Sequence, residues 1–186
     1  MELKFAQSIL LGFGLKESIV TLKKVDSGLI NSTFVLNSKT NSYILQAINT
    51  NIFPNYEKGL ENILNVGNWL KKKNYPYSFP LPIKGEYLKE KNEVWRLMPF
   101  VKNSISYNRV SSLVQVKSAS ICLGEFYHHL SDFNTESLSI TLPNFHHGDL
   151  IIKKFEEALL NGEKERLLTV NALISEVEKK LPILNK

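Results

Sequence analysis

Residues 27–49 read SGLINSTFVLNSKTNSYILQAIN, and no other stretch constrains the fold as tightly. The runs 32–36 and 43–48 are strand-like, and the polar cluster Asn37-Ser38-Lys39-Thr40-Asn41-Ser42 between them is of the hairpin-turn type. Upstream, residues 18–25 alternate Ile19, Thr21 and Lys23 against Val20, Leu22 and Lys24, and the β-branched content favours a strand. Asp26-Ser27-Gly28 is the turn that joins it to the next. Three antiparallel strands follow from this pattern.

The remaining elements are ordered around that hairpin. Residues 5–13 read as a short opening helix. After Pro54, which suits a first helical turn, Tyr56, Leu60, Ile63, Gly67 and Leu70 recur at spacings of four, three, four and three. That periodicity predicts a helix packed on the sheet. Residues 81–84 and 93–98, around a turn at 89–92, are expected to complete five strands. Residues 99–108 then form a connector. From Ser111 onward, Val116, Ala119, Leu123, Phe126, Leu130 and Phe133 follow helical spacing, and two more helical patterns cover 150–160 and 164–181. The change from mixed strand and helix to almost only helix sets the expected boundary between residues 1–101 and 102–186.

Composition narrows the function classes. The formal net charge of +5 suggests nucleic-acid binding until it is divided: residues 1–100 hold 13 basic and 8 acidic groups, residues 101–186 hold 10 of each. Lys71-Lys72-Lys73 closes a predicted helix, where cations favour the negative end of the helix dipole, and aromatic residues do not interleave with lysines. A nucleic-acid partner is not expected. The apolar runs are a few residues long, too short to span a bilayer, and a membrane partner is not expected either. The single cysteine, Cys122, cannot close an internal disulfide and reads as a small core residue; a reducing cytoplasm is the expected compartment.

Five strands with one helix after the third, then a connector and helices, is the element order of an α+β, protein-kinase-like N-lobe followed by the first helices of a C-lobe. The residues carry a resemblance to match. Gly28-Leu29-Ile30-Asn31-Ser32-Thr33, Tyr43-Ile44-Leu45-Gln46-Ala47-Ile48-Asn49, Phe53 and Leu60-Glu61-Asn62-Ile63 resemble the aminoglycoside phosphotransferase and choline kinase superfamily, most nearly its N-acetylhexosamine 1-kinase-like branch. Trp95-Arg96-Leu97-Met98-Pro99-Phe100-Val101, Gly124-Glu125-Phe126 and Leu142-Pro143-Asn144-Phe145-His146 extend the likeness over most of the chain. The resemblance implies ATP and Mg²⁺ as cofactors, a small-molecule hydroxyl acceptor, and 1–101 as the nucleotide-binding lobe.

The candidate site residues follow from the chemistry of such a lobe. A turn between strands closes over phosphates where glycine permits close backbone approach, so Ser27 and Gly28, with Asn31 as a side-chain donor, form the candidate cover. An ordinary hairpin turn is the structural alternative, since one glycine is fewer than the kinase pattern carries. On the third strand the kinase pattern calls for lysine, and this chain offers Gln46, within reach of Glu61 only as a hydrogen-bond partner. Arg96 either compensates for the missing charge or faces solvent; its strand phase is open. Met98, Phe100 and Val101 resemble the hinge whose backbone groups meet adenine, with Pro99 unable to donate.

His147-Gly148-Asp149 mimics the start of a kinase catalytic loop, in which an Asn five residues after the Asp holds Mg²⁺. Here that position is Lys154, no aspartate follows Asp149, and the triplet runs straight into a helical pattern with Asp149 as its expected N-cap. Among His128, His129, His146, His147 and Cys122, adjacent helical histidines point about 100° apart and cannot share one ion. No protein-ligated metal and no catalytic residue is therefore expected. The whole reads as the N-terminal part of a small-molecule, sugar-type kinase, inactive alone, whose last helices expose apolar faces for a missing half or for self-association. A non-catalytic nucleotide- or protein-binding module derived from the same fold is the alternative.

Overall fold

The computed structural model describes residues 1–26, 28–145 and 147–184, the last two of these by backbone alone. The chain divides into two compact units, Met1–Thr141 and Leu142–Lys186. In the first unit, the order is α1 (Leu3–Gly12), β1 (Thr21–Val25), β2 (Ser32–Asn37), β3 (Ser42–Ile48), α2 (Tyr56–Lys72), β4 (Leu88–Glu90), β5 (Glu93–Pro99) and α3 (Leu113–His129). The strands form one antiparallel sheet in the order β1-β2-β3-β5-β4. Five antiparallel strands with helices are the α+β architecture that the sequence pattern implies.

Register sorts the strand residues onto two faces. Phe34 lies opposite Leu45, which lies opposite Leu97, and Ala47 lies opposite Trp95. Successive side chains alternate sides, so Tyr43, Leu45 and Ala47 share one face and Ile44, Gln46 and Ile48 the other. The first face meets Ala6, Ile9, Leu10 and Phe13, the i, i+3, i+4, i+7 stripe of α1, and these residues together form the buried core. The opening helix is thus a principal core element, which its brevity conceals. On the opposite side the first turns of α2 face the sheet across a space lined by Ile48 and Arg96, and further along the helix Gly67 is buried against the following segment, where an added Cβ would come within 2.4 Å of Leu81.

Two expectations are corrected in the segment after α2. The predicted strand at 81–84 is absent: residues Ile83–Gly85 form a single 3₁₀ turn in which Lys84 and Gly85 take φ of 59° and 65°, and the fourth strand comes later, at Leu88–Glu90. Pro80 and Pro82 lack the N–H a paired strand needs, and a left-handed pair bends the chain. The turn expected at 89–92 narrows to Lys91-Asn92, both with positive φ, the twist that a two-residue hairpin requires.

Glu17, ahead of the first strand, organises the β2–β3 turn. Its carboxylate accepts from Ser38 Oγ, Thr40 Oγ1 at 3.3 Å, Asn41 Nδ2 at 2.7 Å and the Tyr43 hydroxyl at 2.7 Å. The bonds from Ser38 and Tyr43 hold its pKa below the ordinary carboxylate value. Burial, then the bond to Glu17, pushes the Tyr43 phenol up to about 12. This clamp spans 21 to 26 residues of sequence.

Helix α3 starts on Ser112, whose Oγ accepts from Gln115 N at 3.3 Å, while the Gln115 side chain reaches back to Ser111 N at 2.8 Å. Its C-terminal end docks on α2: Trp69 Nε1 donates to His129 O at 2.9 Å, Lys73 pairs with Asp132 at 2.5 Å, and the Trp69 and Phe133 rings meet edge-on. These contacts place α3 in the same compact unit as the sheet, although it follows the connector. Cys122 is half-buried, 3.8 Å from the Tyr75 hydroxyl. The N-terminal part of its expected apolar face, Val116 and Leu123, is exposed.

The second unit holds α4 (Gly148–Asn161), α5 (Lys164–Thr169) and α6 (Asn171–Leu184). Residues 164–181 are therefore two helices and not one, parted at Val170, where φ is −112° and ψ 10°. The N-cap of α4 is His147 and not Asp149, which lies inside the first turn and favours the helix through its charge alone. The triplet 147–149 leads straight into a helix, as its pattern predicts. Among the described residues, no helix is long and apolar enough to cross a membrane.

Leu45 is fully buried at the centre of the sheet. Leu45→Ala is expected to lower unfolding free energy by about 2–5 kcal/mol in urea titrations, the cost of the lost side chain plus the cavity it leaves. Because the folded pKa of Glu17 lies below its ordinary value, its contribution is present above that value and fades as pH falls through the folded pKa. Melting temperatures measured from pH 6 down to pH 3 should fall more steeply for the native chain than for Glu17→Gln.

Candidate functional site

The sheet face turned toward α2 is polar along one line. Thr33 lies opposite Gln46 in the β2–β3 register, and Gln46 lies opposite Arg96 in β3–β5. Their side chains join: Gln46 Nε2 donates to Thr33 Oγ1 at 2.7 Å, and Gln46 Oε1 accepts from Arg96 Nε at 2.9 Å and from Arg96 Nη2 at 2.6 Å. A guanidinium can only donate, so the amide orientation of Gln46 is set by chemistry. At the β2 end of this row, a Cβ on Gly28 would lie 3.8 Å from Thr33 Oγ1 and 3.3 Å from the Asn31 carbonyl oxygen. The β1–β2 turn thus sits beside the row.

Asn31 ties that turn to the end of β3. Its Oδ1 accepts from Asn49 N at 2.9 Å, and Asn49 Nδ2 donates to Ile30 O at 3.4 Å. The partner of Oδ1 is a backbone N–H, so the Asn31 amide nitrogen is the end left for other partners. Leu29 at the tip of the turn is 99% exposed.

Between the sheet and α2 lies a cavity of about 320 Å³. Asn31, Ile48 and Arg96 line it from the sheet, Phe53 from the link after β3, and Asn55, Tyr56, Gly59, Asn62 and Ile63 from the first turns of α2. Tyr87 and Thr141 close it. Asn62 also fixes the chain near Thr141, donating to Ser139 O at 2.8 Å and accepting from Ser139 N at 2.9 Å. Lys89 pairs with Glu57 at 3.1 Å at the start of α2, and this bond holds the Glu57 carboxyl below its usual range.

The sequence-predicted residues fall as follows. Ser27 lies outside the described residues, as does His146. Gly28 is exposed on the turn, and Asn31 lines the cavity. Gln46 lies on the inner face, as the third-strand position demands, but its amide is engaged by Thr33 and Arg96. Glu61 is exposed on α2, and the neighbour that turns to the cavity is Asn62; one residue along a helix rotates the side chain by about 100°. The open phase of Arg96 resolves inward. No single-strand pattern marks it, because Trp95 beside it is the residue the core selects.

The connector begins with a sheet bond. Phe100 N donates to Ser42 O at 3.2 Å, so the alternation of an antiparallel ladder turns the amides of Phe100 and Met98 toward β3 and the Pro99 carbonyl toward the opposite edge. Strand β4 pairs β5 only from Glu93 to Trp95, leaving that edge open beside Leu97 and Pro99. Val101 is half-buried, and its carbonyl accepts from Ser104 Oγ at 2.6 Å.

A half-buried cation, an amide whose nitrogen has no hydrogen bond among the described residues and the N-terminal turns of a helix all line one space, a donor set that suits a polyanion such as a nucleotide's phosphates. Among the described residues no carboxylate lines it, and they hold no group of three or more His, Cys, Asp or Glu side chains placed to bind a metal ion. The residues present therefore fit phosphate and do not fit Mg²⁺ as a protein-ligated ion.

No family model matches the chain. Among solved structures, the GDP complex of an aminoglycoside 2'-phosphotransferase-IIIa mutant is similar over 93% of this chain and 57% of that one, with a TM-score of 0.58 at 16% identity. The crystal structure of a spectinomycin phosphotransferase with ADP and spectinomycin matches 68% of this chain and 37% of that one, with a TM-score of 0.48 at 14% identity. The chain thus spans less than two thirds of the length of either. Its fold is the protein-kinase-like fold of the aminoglycoside phosphotransferases.

Asn31→Ala leaves the Asn49 N–H without its acceptor, and the expected cost is about 1–3 kcal/mol in chemical denaturation. Hydrogen exchange at the Asn49 amide should accelerate in the same variant.

Proposed function

We propose that this chain is the nucleotide-binding part of an ATP-dependent phosphotransferase that transfers the γ-phosphate to a hydroxyl of a small-molecule acceptor, most simply a sugar. The observation that carries this reading is the fold match over 93% of the chain combined with the phosphate-suited donors on the inner face of its sheet. The likeness of Gly28 to Thr33 and Tyr43 to Asn49 to the N-acetylhexosamine 1-kinase-like branch favours the sugar acceptor. Residues 1–101 serve as the nucleotide lobe and 102–186 as helices of the acceptor lobe. The open edge beside Pro99 and Val101 is where adenine docks, and the turn at Gly28 and Asn31 covers the phosphates.

Transfer needs an acidic base and Mg²⁺, which enters this reading on the nucleotide's own phosphates. No aspartate follows Asp149 in this chain, and Gly148 begins an ordinary helix that the resemblance puts ahead of the catalytic loop, so in this reading the chain turns over nothing by itself. A further catalytic portion, in the same protein or in a separate one, completes the enzyme in the cytoplasm. Exposed Leu160, Leu168 and Leu173 on α4, α5 and α6 support such a remainder.

Calorimetry with MgATP and MgGTP tests the nucleotide assignment directly. Saturable heat and a rise in melting temperature at millimolar MgATP are expected; no heat and no shift with either nucleotide would remove the assignment. Phosphate transfer to sugars by this chain alone should stay at background, and turnover would show that it carries its own catalytic base.

A further inference from the structure

Building on the nucleotide reading above, we propose that Arg96 is the cation that pairs with the ligand's phosphates and that Gln46 is a positioning residue which aims it. The charge that a kinase-like sheet carries on its third strand is then carried one strand over, on β5. Gln46 and Arg96 are direct cross-strand partners, whose Cβ atoms lie about 5 Å apart in such pairs. A lysine at residue 46 would press a second cation against Arg96. A neutral amide there instead offers its oxygen, which receives both Nε and Nη2.

That double bond uses the inner edge of the guanidinium. Of its five N–H donors, the two on Nη1 and the second on Nη2 remain, and they form the outer edge that meets an oxyanion two-pronged. Thr33 holds the far side of the Gln46 amide, so the aim of Arg96 is fixed from the second strand onward. The ion pairs formed among the described residues all involve other side chains, so Arg96 faces the cavity with its charge matched only by a neutral acceptor. A half-buried, uncompensated cation is costly to keep unless an anion completes it.

A second feature converges on the same space. The cavity opens on the N-terminal turns of α2, a 17-residue helix whose N-cap Asn55 makes no side-chain cap bond. Its first N–H groups and the positive end of its dipole favour negative charge. Arg96, Asn31 and the α2 terminus therefore form one anion subsite, of the size and sign of a di- or triphosphate.

The test measures binding of adenosine, ADP and inorganic tripolyphosphate to the full chain by calorimetry and ligand-observed NMR, in the native chain, Arg96→Gln, Arg96→Lys and the swap Gln46→Lys/Arg96→Gln. Arg96→Gln is expected to lose at least tenfold in affinity for ADP and tripolyphosphate with adenosine unchanged. Arg96→Lys should fall between, and the swap should regain part of the loss by returning the cation to β3. Melting curves establish that each variant is folded. If Arg96→Gln keeps its ADP and tripolyphosphate affinity, or loses adenosine equally, the proposal is overturned while the nucleotide reading stands. Tripolyphosphate binding that depends on Arg96 without any adenosine or ADP binding would keep the anion subsite and discard the nucleotide. Failure of the native chain to bind all three overturns both.

Discussion

The register of β3 between β2 and β5 is the constraint on which the remainder of the first unit depends. Leu45 and Ala47 must face α1, because Phe34, Trp95 and Leu97 beside them form the core with Ile9, Leu10 and Phe13. Parity then sends Gln46 to the other side. A slip of one residue would bury the amide under α1 and expose the leucine to the cavity, a double loss that makes the register self-correcting. The same pairing that buries the core therefore delivers Thr33, Gln46 and Arg96 to a common line.

Around that register, two long-range polar devices hold the ends of the sheet. Glu17 gathers the β2–β3 turn from a position before the first strand, and Asn31 ties the β1–β2 turn to the exit of β3. The tight turns are pinned, whereas the tip at Leu29 stands free in solvent.

Much of this was legible in the chain itself. Alternation at 32–36 and 43–48 and the 56, 60, 63, 67, 70 spacing located β2, β3 and α2, since each rests on local periodicity. The strand after α2 was misplaced because hydrophobic content at 81–84 outweighed Pro80, Pro82 and the left-handed Lys84 in a reading of short runs. Helix 164–181 was read as continuous, as a break at one β-branched residue leaves little mark on periodicity. In the candidate site, the pattern places Gln46 on β3 and Asn31 beside the turn before β2, as the structure has them, whereas the helix turns Asn62 and not its neighbour Glu61 to the cavity.

By itself, the sequence determined the first three strands, the fifth strand and the helices up to α4, that a third-strand lysine is missing, and that 147–149 opens a helix. Those properties rest on near neighbours along the chain: side-chain alternation, helical spacing and capping. Only the tertiary structure decided where Arg96 points, what Gln46 binds and which residue of α2 faces the cavity. Gln46 and Arg96 stand 50 residues apart, and strand pairing alone makes them neighbours. Electrostatic partnership across a sheet depends on register, and register is set by the burial of other residues on the opposite face.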